Sequence, residues 1–217
     1  MERDRFLHRV GQATLRGQLP ASSRVPTDLP GLDDVDLTAL FRARAQEVNA
    51  VIHGPVSRHG VPRAVVGIAA GHEAATFLAW DDLPASGVSP ALQAAGLERL
   101  AHEVGEGSRL ERNLSYLGLD VGVTGATAGL AESGTVVLVH GAGRPRMASI
   151  APEVHIALLE VERIGRTLAH WAHENPRYPA ETTNLVFVTG PSRTGDIEQQ
   201  LNLGVHGPRH VHVVMIR

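Results

Sequence analysis

The sequence contains no cysteine and no lysine, so all 20 of its basic side chains are arginine. Without cysteine the chain cannot form a disulfide, offer a thiol nucleophile or ligate an iron–sulfur cluster through thiolates. Without lysine it cannot form a Schiff base or a Walker phosphate loop. What remains is acid–base or hydroxyl chemistry, metal binding by histidine and acids, or anion binding by arginine.

A strong charge of one sign and long apolar runs are also missing. The 217 residues carry a formal net charge of −3 and are 43% hydrophobic, which is typical of a globular protein without a nucleic-acid partner. The longest apolar runs, such as 135–139 and 211–216, are far shorter than the roughly 20 residues that span a bilayer. The first five residues lack the apolar core of a signal peptide. We therefore expect a cytoplasmic protein without membrane insertion.

The chain begins with an amphipathic stretch at residues 5–15, and a stretch rich in proline, serine and aspartate follows at 19–36. The first pattern indicates a helix and the second is typical of a linker. We therefore predict an N-terminal helix and linker over residues 1–36 and a single α/β domain over 37–217.

After Asp36, a plausible helix N-cap, apolar residues recur at helical spacing as far as Ile52, and Gly54 and Pro55 follow. This pattern predicts a surface helix that ends at the Gly-Pro pair. Three further segments are predicted before residue 91, namely a first strand at 64–68, a helical or mixed segment at 72–80 and a loop at 84–90.

The second half of the chain contains five short apolar runs rich in β-branched residues, at 121–124, 135–139, 154–159, 185–189 and 211–216. Continuous runs of this kind suit strands that are covered on both faces. Residues 162–174 place Ile164, Leu168 and Trp171 on one helical stripe. Strands that alternate with helices predict an α/β fold with a largely parallel sheet flanked by helices.

A loop rich in glycine, hydroxyls and charge follows the run at 185–189. Gly190-Pro191 cannot continue a strand, and ligands of open parallel sheets bind beyond the carboxyl ends of their strands. Ser192, Arg193 and Thr194 would be delivered to that edge, and Asp196 follows them as a further ligand-binding candidate. With a helix opening at 195–201, the two hydroxyls and the guanidinium suit a small carboxylate or phosphate. Alternatively, Thr194 only caps that helix, whose acidic first turn repels anions.

Glu132 precedes the strand predicted at 135–139 and is followed by Ser133, Gly134 and Thr135. A carboxylate beside a sheet edge can act as a general base or a nucleophile. The plain alternative is a glutamate that is hydrogen-bonded to loop backbone. The functional hypothesis requires Glu132 and Arg193 to face one polar pocket on the sheet edge.

Two other loops are weaker candidates for anion binding. Residues 124–129, which begin with Thr124, follow a strand but match neither the dinucleotide-binding pattern nor a Walker loop. The loop at 141–146 carries Arg144 and Arg146, which suit an anionic ligand or an acidic partner, or else a solvated surface loop.

The 12 histidines raise the possibility of a metal site, with His206, His210 and His212 near the C-terminus and His170 and His173 one helical turn apart. Their spacing does not form a recognised ligand set, so we predict that this chain holds no metal. His206 lies in a turn and joins the ligand-binding candidates. We interpret His155 as a core or site-wall residue.

Several of these segments together resemble the lactate-utilisation (LUD-domain) family, specifically its small C-type subunit. The matching stretches are 120–124, 131–135, 152–155, 184–198 and 204–209. Two positions depart from the commonest pattern, with Ser133 in place of threonine and Gly195 in place of alanine. The resemblance implies a fold similar to that of sugar-phosphate isomerases and CoA transferases, a group that includes enzymes with a glutamate nucleophile.

The resemblance also implies a role in bacterial lactate utilisation, in which lactate is oxidised to pyruvate and partner subunits carry the iron–sulfur clusters. The absence of cysteine agrees with such a division of labour, since this chain would bind no cofactor itself. It would contribute small-anion binding, complex assembly or both.

Two alternatives remain open. One is a free-standing enzyme acting on a sugar phosphate or acyl-CoA, with Glu132 catalytic and Arg193 binding the substrate. The other is a regulatory or scaffold module whose loops bind only protein.

Overall fold

The computed structural model describes residues 3–9, 35–101, 116, 118–178, 182, 184–195, 201–204 and 206–217. Residues 3–9 are helical, whereas most of the predicted linker lies outside the described residues. Five further helices are α1 (Leu37–Glu47), α2 (Val61–Gly71), α3 (Val88–Ala94), α4 (Met147–Ile150) and α5 (Leu168–Glu174). Among the described residues, none of the helices has the length and apolar composition that a membrane span requires.

Six parallel strands form the main sheet, in the order β1-β12-β7-β4-β2-β3. They are β1 (Val51–Val56), β2 (Thr76–Ala79), β3 (Glu98–Arg99), β4 (Val121–Gly125), β7 (Val154–Glu160) and β12 (His210–Ile216). The central strands β4, β7 and β12 are buried almost throughout, as their uninterrupted apolar runs predicted. The predicted α/β fold with a largely parallel sheet is confirmed.

A second sheet has the order β8-β5-β6-β9. Its strands are β5 (Ala128–Leu130), β6 (Thr135–His140), β8 (Ile164–Gly165) and β9 (Asn184–Val188). Together with α1 it packs on one face of the main sheet, where Phe41, Leu138 and Val213 share one core cluster. Helices α2 and α3 cover the opposite face, where Val65, Leu92 and Val214 belong to another cluster. The main sheet is therefore enclosed between two apolar layers.

Helix α1 begins as predicted, because the Asp36 carboxylate accepts hydrogen bonds from the backbone N–H groups of Thr38 and Ala39. It ends at Glu47 rather than continuing to Ile52, which lies in β1 and pairs with β12. The Gly-Pro pair also lies inside β1. A Cβ at Gly54 would lie 2.7 Å from the Met215 carbonyl oxygen, so strand pairing requires glycine there.

The strand predicted at 64–68 is wrong, since these residues belong to α2. Val61, Val65, Ile68 and Ala69 are its buried residues, and this spacing is helical. The segment at 72–80 contains β2 rather than a helix, and the predicted loop at 84–90 contains the start of α3.

The run at 185–189 does form a strand, but the predicted parallel pairing is wrong. β9 pairs antiparallel with β6 at one end of the second sheet, and Phe187 is 41% exposed. The helix predicted at 195–201 is wrong at both ends, because β10 (Arg193–Gly195) and β11 (Leu201–Leu203) form an antiparallel hairpin. Residues 196–200 lie outside the described residues.

Candidate functional site

The carboxyl ends of β2 and β4 form the topological switch point of the main sheet. These strands are neighbours, yet the chain continues from β2 to β3 on one side and from β4 to β7 on the other. Because the connections diverge, a crevice opens beyond the strand ends, and such crevices are where open parallel sheets bind ligands.

A pocket of about 340 Å³ lies at this position, and we call it the switch-point pocket. Its lining comes from the carboxyl ends of several strands and from the loops that follow them. The lining residues are Arg58, Trp80, Asp82, Pro84, Gly125, Ala126, Thr127, Arg144, Glu160, Arg163 and Tyr178.

One wall of the switch-point pocket is an ion-pair cluster centred on Glu160, the last residue of β7. Arg58 and Arg163 both donate hydrogen bonds to its carboxylate, and Arg58 also donates to the Pro84 carbonyl oxygen at 2.5 Å. Burial raises the pKa of the Glu160 carboxyl, but the hydrogen bonds from the two guanidinium groups outweigh burial and leave this pKa below its ordinary value. Two cations therefore share one anion.

Arg144 forms the facing wall, held by Asp82 through two hydrogen bonds of 2.8 and 2.5 Å to the same carboxylate oxygen. These hydrogen bonds raise the pKa of the Arg144 guanidinium above its ordinary value. The guanidinium also lies 5.6 Å from the centre of the Trp80 ring, a cation–π distance. With three arginines and two carboxylates among its charged side chains, the switch-point pocket has an excess positive charge of one.

The predicted catalytic residue Glu132 lies elsewhere. Its carboxylate accepts a hydrogen bond of 2.6 Å from the backbone N–H of Leu168, the first residue of α5. The carboxylate is thus bonded to backbone, as in the plain alternative, but its donor lies at the start of a helix rather than in a loop. Its catalytic role stays a prediction.

The hydroxyls beside Glu132 bond to one another. The Ser133 hydroxyl lies 2.7 Å from that of Thr135, which lies 2.8 Å from that of Thr189. Gly134 packs directly on α1, where a Cβ would lie 2.1 Å from the Ala45 nitrogen. These residues therefore join the start of β6, the end of β9 and the last turn of α1.

The loop after β9 does not reach the carboxyl edge of the main sheet, so that placement is wrong. The Arg193 guanidinium donates a hydrogen bond of 2.9 Å to the Val48 carbonyl oxygen, just before β1, and the Ser192 N–H donates to the Pro208 carbonyl oxygen, just before β12. The loop therefore lies beside the amino ends of these strands. β9 belongs to the second sheet, and these contacts place the loop after it at the opposite edge from the one predicted.

The remaining predicted ligand-binding residues are dispersed. Thr194 lies in β10, paired with Asn202, and Asp196 lies outside the described residues. His206 lines a separate pocket of about 440 Å³ at the amino ends of β4, β7 and β12. Thr124 is fully buried between the two sheets, where its hydroxyl lies 2.9 Å from the Nε2 atom of His155.

Several histidines are partners of one another. The Nδ1 atom of His212 lies 2.9 Å from Nε2 of His53, and its Nε2 atom lies 3.0 Å from Nε2 of His72. Burial, together with the neighbouring His53, lowers the pKa of His212 to about 3. Within the described ranges, no group of three or more histidine, aspartate or glutamate side chains could hold a metal ion.

Most of the charged residues of the switch-point pocket are not predicted from the sequence. Arg144 and the loop after Thr124 are weak candidates there, whereas no motif marks Arg58, Asp82, Glu160 or Arg163. A signal was present, because polar residues directly follow the apolar ends of β2 and β7. Because residues 72–80 are interpreted as helical or mixed, the polar residues after β2 are not recognised as the end of a strand.

The fold and the switch-point pocket define an α/β protein with a polar site at the carboxyl edge of a parallel sheet. The family model for the LUD domain matches residues 38–216. The chain therefore belongs to the LUD-domain family.

Relatives and a solved structure agree with this assignment. The chain is 30% identical over 223 residues to lactate utilization protein C of Halalkalibacterium halodurans, covering 95% of this chain and 94% of that protein. It is 30% identical to lactate utilization protein C of a Geobacillus species, covering 69% and 65%. The crystal structure of a DUF162 family protein from Deinococcus radiodurans has a similar fold, with a TM-score of 0.63 at 22% identity over 83% of this chain and 96% of that one.

Proposed function

We propose that this chain is a LUD-domain subunit of a bacterial lactate-utilisation system and that it binds a small carboxylate in the switch-point pocket. The names of its relatives support the first part of the proposal, since one of them matches over almost the full length of both chains. The position of the pocket at the switch point supports the second part.

The observation that carries the proposal is the excess of guanidinium groups around Glu160. Arg58 and Arg163 share a single carboxylate, although guanidinium groups favour two-pronged contacts with carboxylates of their own. A ligand carboxylate that enters the pocket would complete the charge balance. The uncharged residues Gly125 and Ala126 would face the rest of the ligand.

Redox chemistry would lie with other subunits. A chain without cysteine cannot hold an iron–sulfur cluster through thiolates, so electrons from lactate would pass to clusters on partner proteins. In this division of labour the present chain binds substrate or product and helps to assemble the complex.

Calorimetric titration with lactate tests the binding site. We expect measurable binding by the wild-type chain and at least tenfold weaker binding by Arg58→Ala, because a hydrogen bond to a charged group contributes about 1.5–3 kcal/mol. Arg44→Ala is the matched control, since Arg44 pairs with Glu47 on the exposed face of α1 and does not line the pocket. Equal lactate affinity of wild type and Arg58→Ala would refute the site.

A further inference from the structure

A second pocket of about 430 Å³ adjoins the switch-point pocket, and we call it the aromatic groove. The two cavities meet at Thr127, Arg163 and Tyr178, because each of these residues lines both. The aromatic groove extends from this junction along β8 and α5, past Gly165 and Trp171.

The two cavities differ in chemistry. The charged groups of the switch-point pocket converge on Glu160 and Asp82, and its exposed lining is mainly polar. In the aromatic groove, the Tyr178 ring stacks on Trp171 with centroids 5.6 Å apart. Charged residues also line the groove, namely Glu162, Arg166 and Glu174. The stacked pair of rings gives one side of the groove a flat surface that can bind a flat or apolar group.

The size of the cavities exceeds the needs of a three-carbon acid. Ligand pockets of roughly 300–1,000 Å³ accommodate drug-sized molecules. The switch-point pocket alone falls in this range, and the aromatic groove adds a volume of the same order. A site shaped only for lactate would leave most of this space to water.

We infer that the two cavities form one binding site for a carboxylate with an extended apolar or aromatic body. The carboxylate lies against Arg58 and Arg163, and the body passes Thr127 into the aromatic groove beside Tyr178. This inference rests on the proposed function, because the same arginines hold the carboxylate in both. It makes an aryl-substituted 2-hydroxy acid a better ligand than lactate.

Titrations with lactate and 3-phenyllactate test the inference through the ratio of the two dissociation constants. We expect wild type to bind 3-phenyllactate at least tenfold more tightly than lactate. Gly165→Leu should reduce this ratio to near one by filling the aromatic groove. Among the described residues, and apart from its two chain neighbours, the only atom within 4 Å of a Cβ at position 165 is the Gly129 carbonyl oxygen at 3.9 Å, so there is room for a side chain.

Two more variants complete the test. Tyr178→Ala should also lower the ratio, whereas Gly67→Leu on the exposed surface of α2 should preserve it, since no described residue outside the local helix backbone lies within 4 Å of a Cβ there. If wild type binds both acids equally and Arg58→Ala weakens both, this inference fails and the proposed function stands. If neither acid binds, both fail. A wild-type ratio that survives in Gly165→Leu and Tyr178→Ala also overturns the inference.

Discussion

Gly134 is the residue at which the turn between β5 and β6 touches the last turn of α1. Its φ angle is +65°, in the left-handed region that favours glycine, and a Cβ would lie 2.1 Å from the Ala45 nitrogen and 2.5 Å from its Cα atom. Both contacts are with backbone, which cannot rotate away as a side chain can. The close approach of the second sheet to α1 therefore depends on a hydrogen atom at this position.

We predict that Gly134→Ala destabilises the fold by about 2–5 kcal/mol, from backbone strain and from the clash with α1. Urea unfolding at pH 7.5 measures the change. Gly67→Ala provides the control, since its site in α2 is open and alanine there should stabilise the helix by about 0.5–1 kcal/mol. An unaltered unfolding midpoint in Gly134→Ala would contradict this account.

At the scale of elements, the start of α5 depends on two acceptors that come from different parts of the chain. The Thr167 side chain accepts a hydrogen bond from the His170 N–H at 3.0 Å, as an N-cap does. Glu132 accepts from the Leu168 N–H and places a negative charge at the positive end of the helix. Glu132 thus links the β5–β6 turn to α5.

We predict a graded loss of stability when Glu132 is changed. Glu132→Gln keeps an acceptor but removes the charge, which costs about 0.3–1 kcal/mol. Glu132→Ala removes both and costs about 1–2 kcal/mol. Urea unfolding measures both variants, with the exposed Glu162→Gln as a control for loss of one negative charge. Equal stability of wild type and both Glu132 variants would show that the contact with α5 contributes nothing.

The five short apolar runs in the second half of the chain are strands, as predicted from the sequence, whereas their partners in the sheets were not predictable. The run at 154–159, for example, is the buried strand β7. The run at 185–189 is equally apolar, yet β9 belongs to the second sheet, where it pairs antiparallel with β6. An apolar run indicates a strand but does not specify the neighbouring strand. The misplacement of Arg193 follows directly from that limit.

At the scale of the whole molecule, the switch-point pocket arises from topology rather than from one motif. Arg58, Asp82, Arg144 and Glu160 are widely separated in sequence, and strand order alone brings them to one edge. The segment around Glu132 contacts α1, β9 and α5, and its catalytic role stays a prediction. Local sequence patterns consequently identified the family and the fold class more readily than the pocket.

The main sheet also carries a buried histidine on each face. His155 faces the second sheet, and burial, with a smaller effect of His140, lowers its pKa to about 3. His212 faces α2 and is surrounded by His53, His72 and His210, and its pKa is likewise about 3. Both side chains are neutral in the folded protein at pH 5, whereas in the unfolded chain they titrate near 6.5.

We predict that this difference makes the fold acid-sensitive. As pH falls from 7 to 5, the unfolded chain gains protons that the folded chain does not bind, so the free energy of unfolding decreases by roughly 2 kcal/mol for each histidine. Urea titrations at the two pH values measure the loss, and His155→Gln should reduce it by roughly 2 kcal/mol, because glutamine does not titrate. Carboxylates whose pKa is lowered in the folded protein, such as Glu160, lose their contribution to the free energy of unfolding mainly below this pH range. A free energy of unfolding that stays constant between pH 7 and 5 would mean that the two imidazoles are accessible to protons in the folded state.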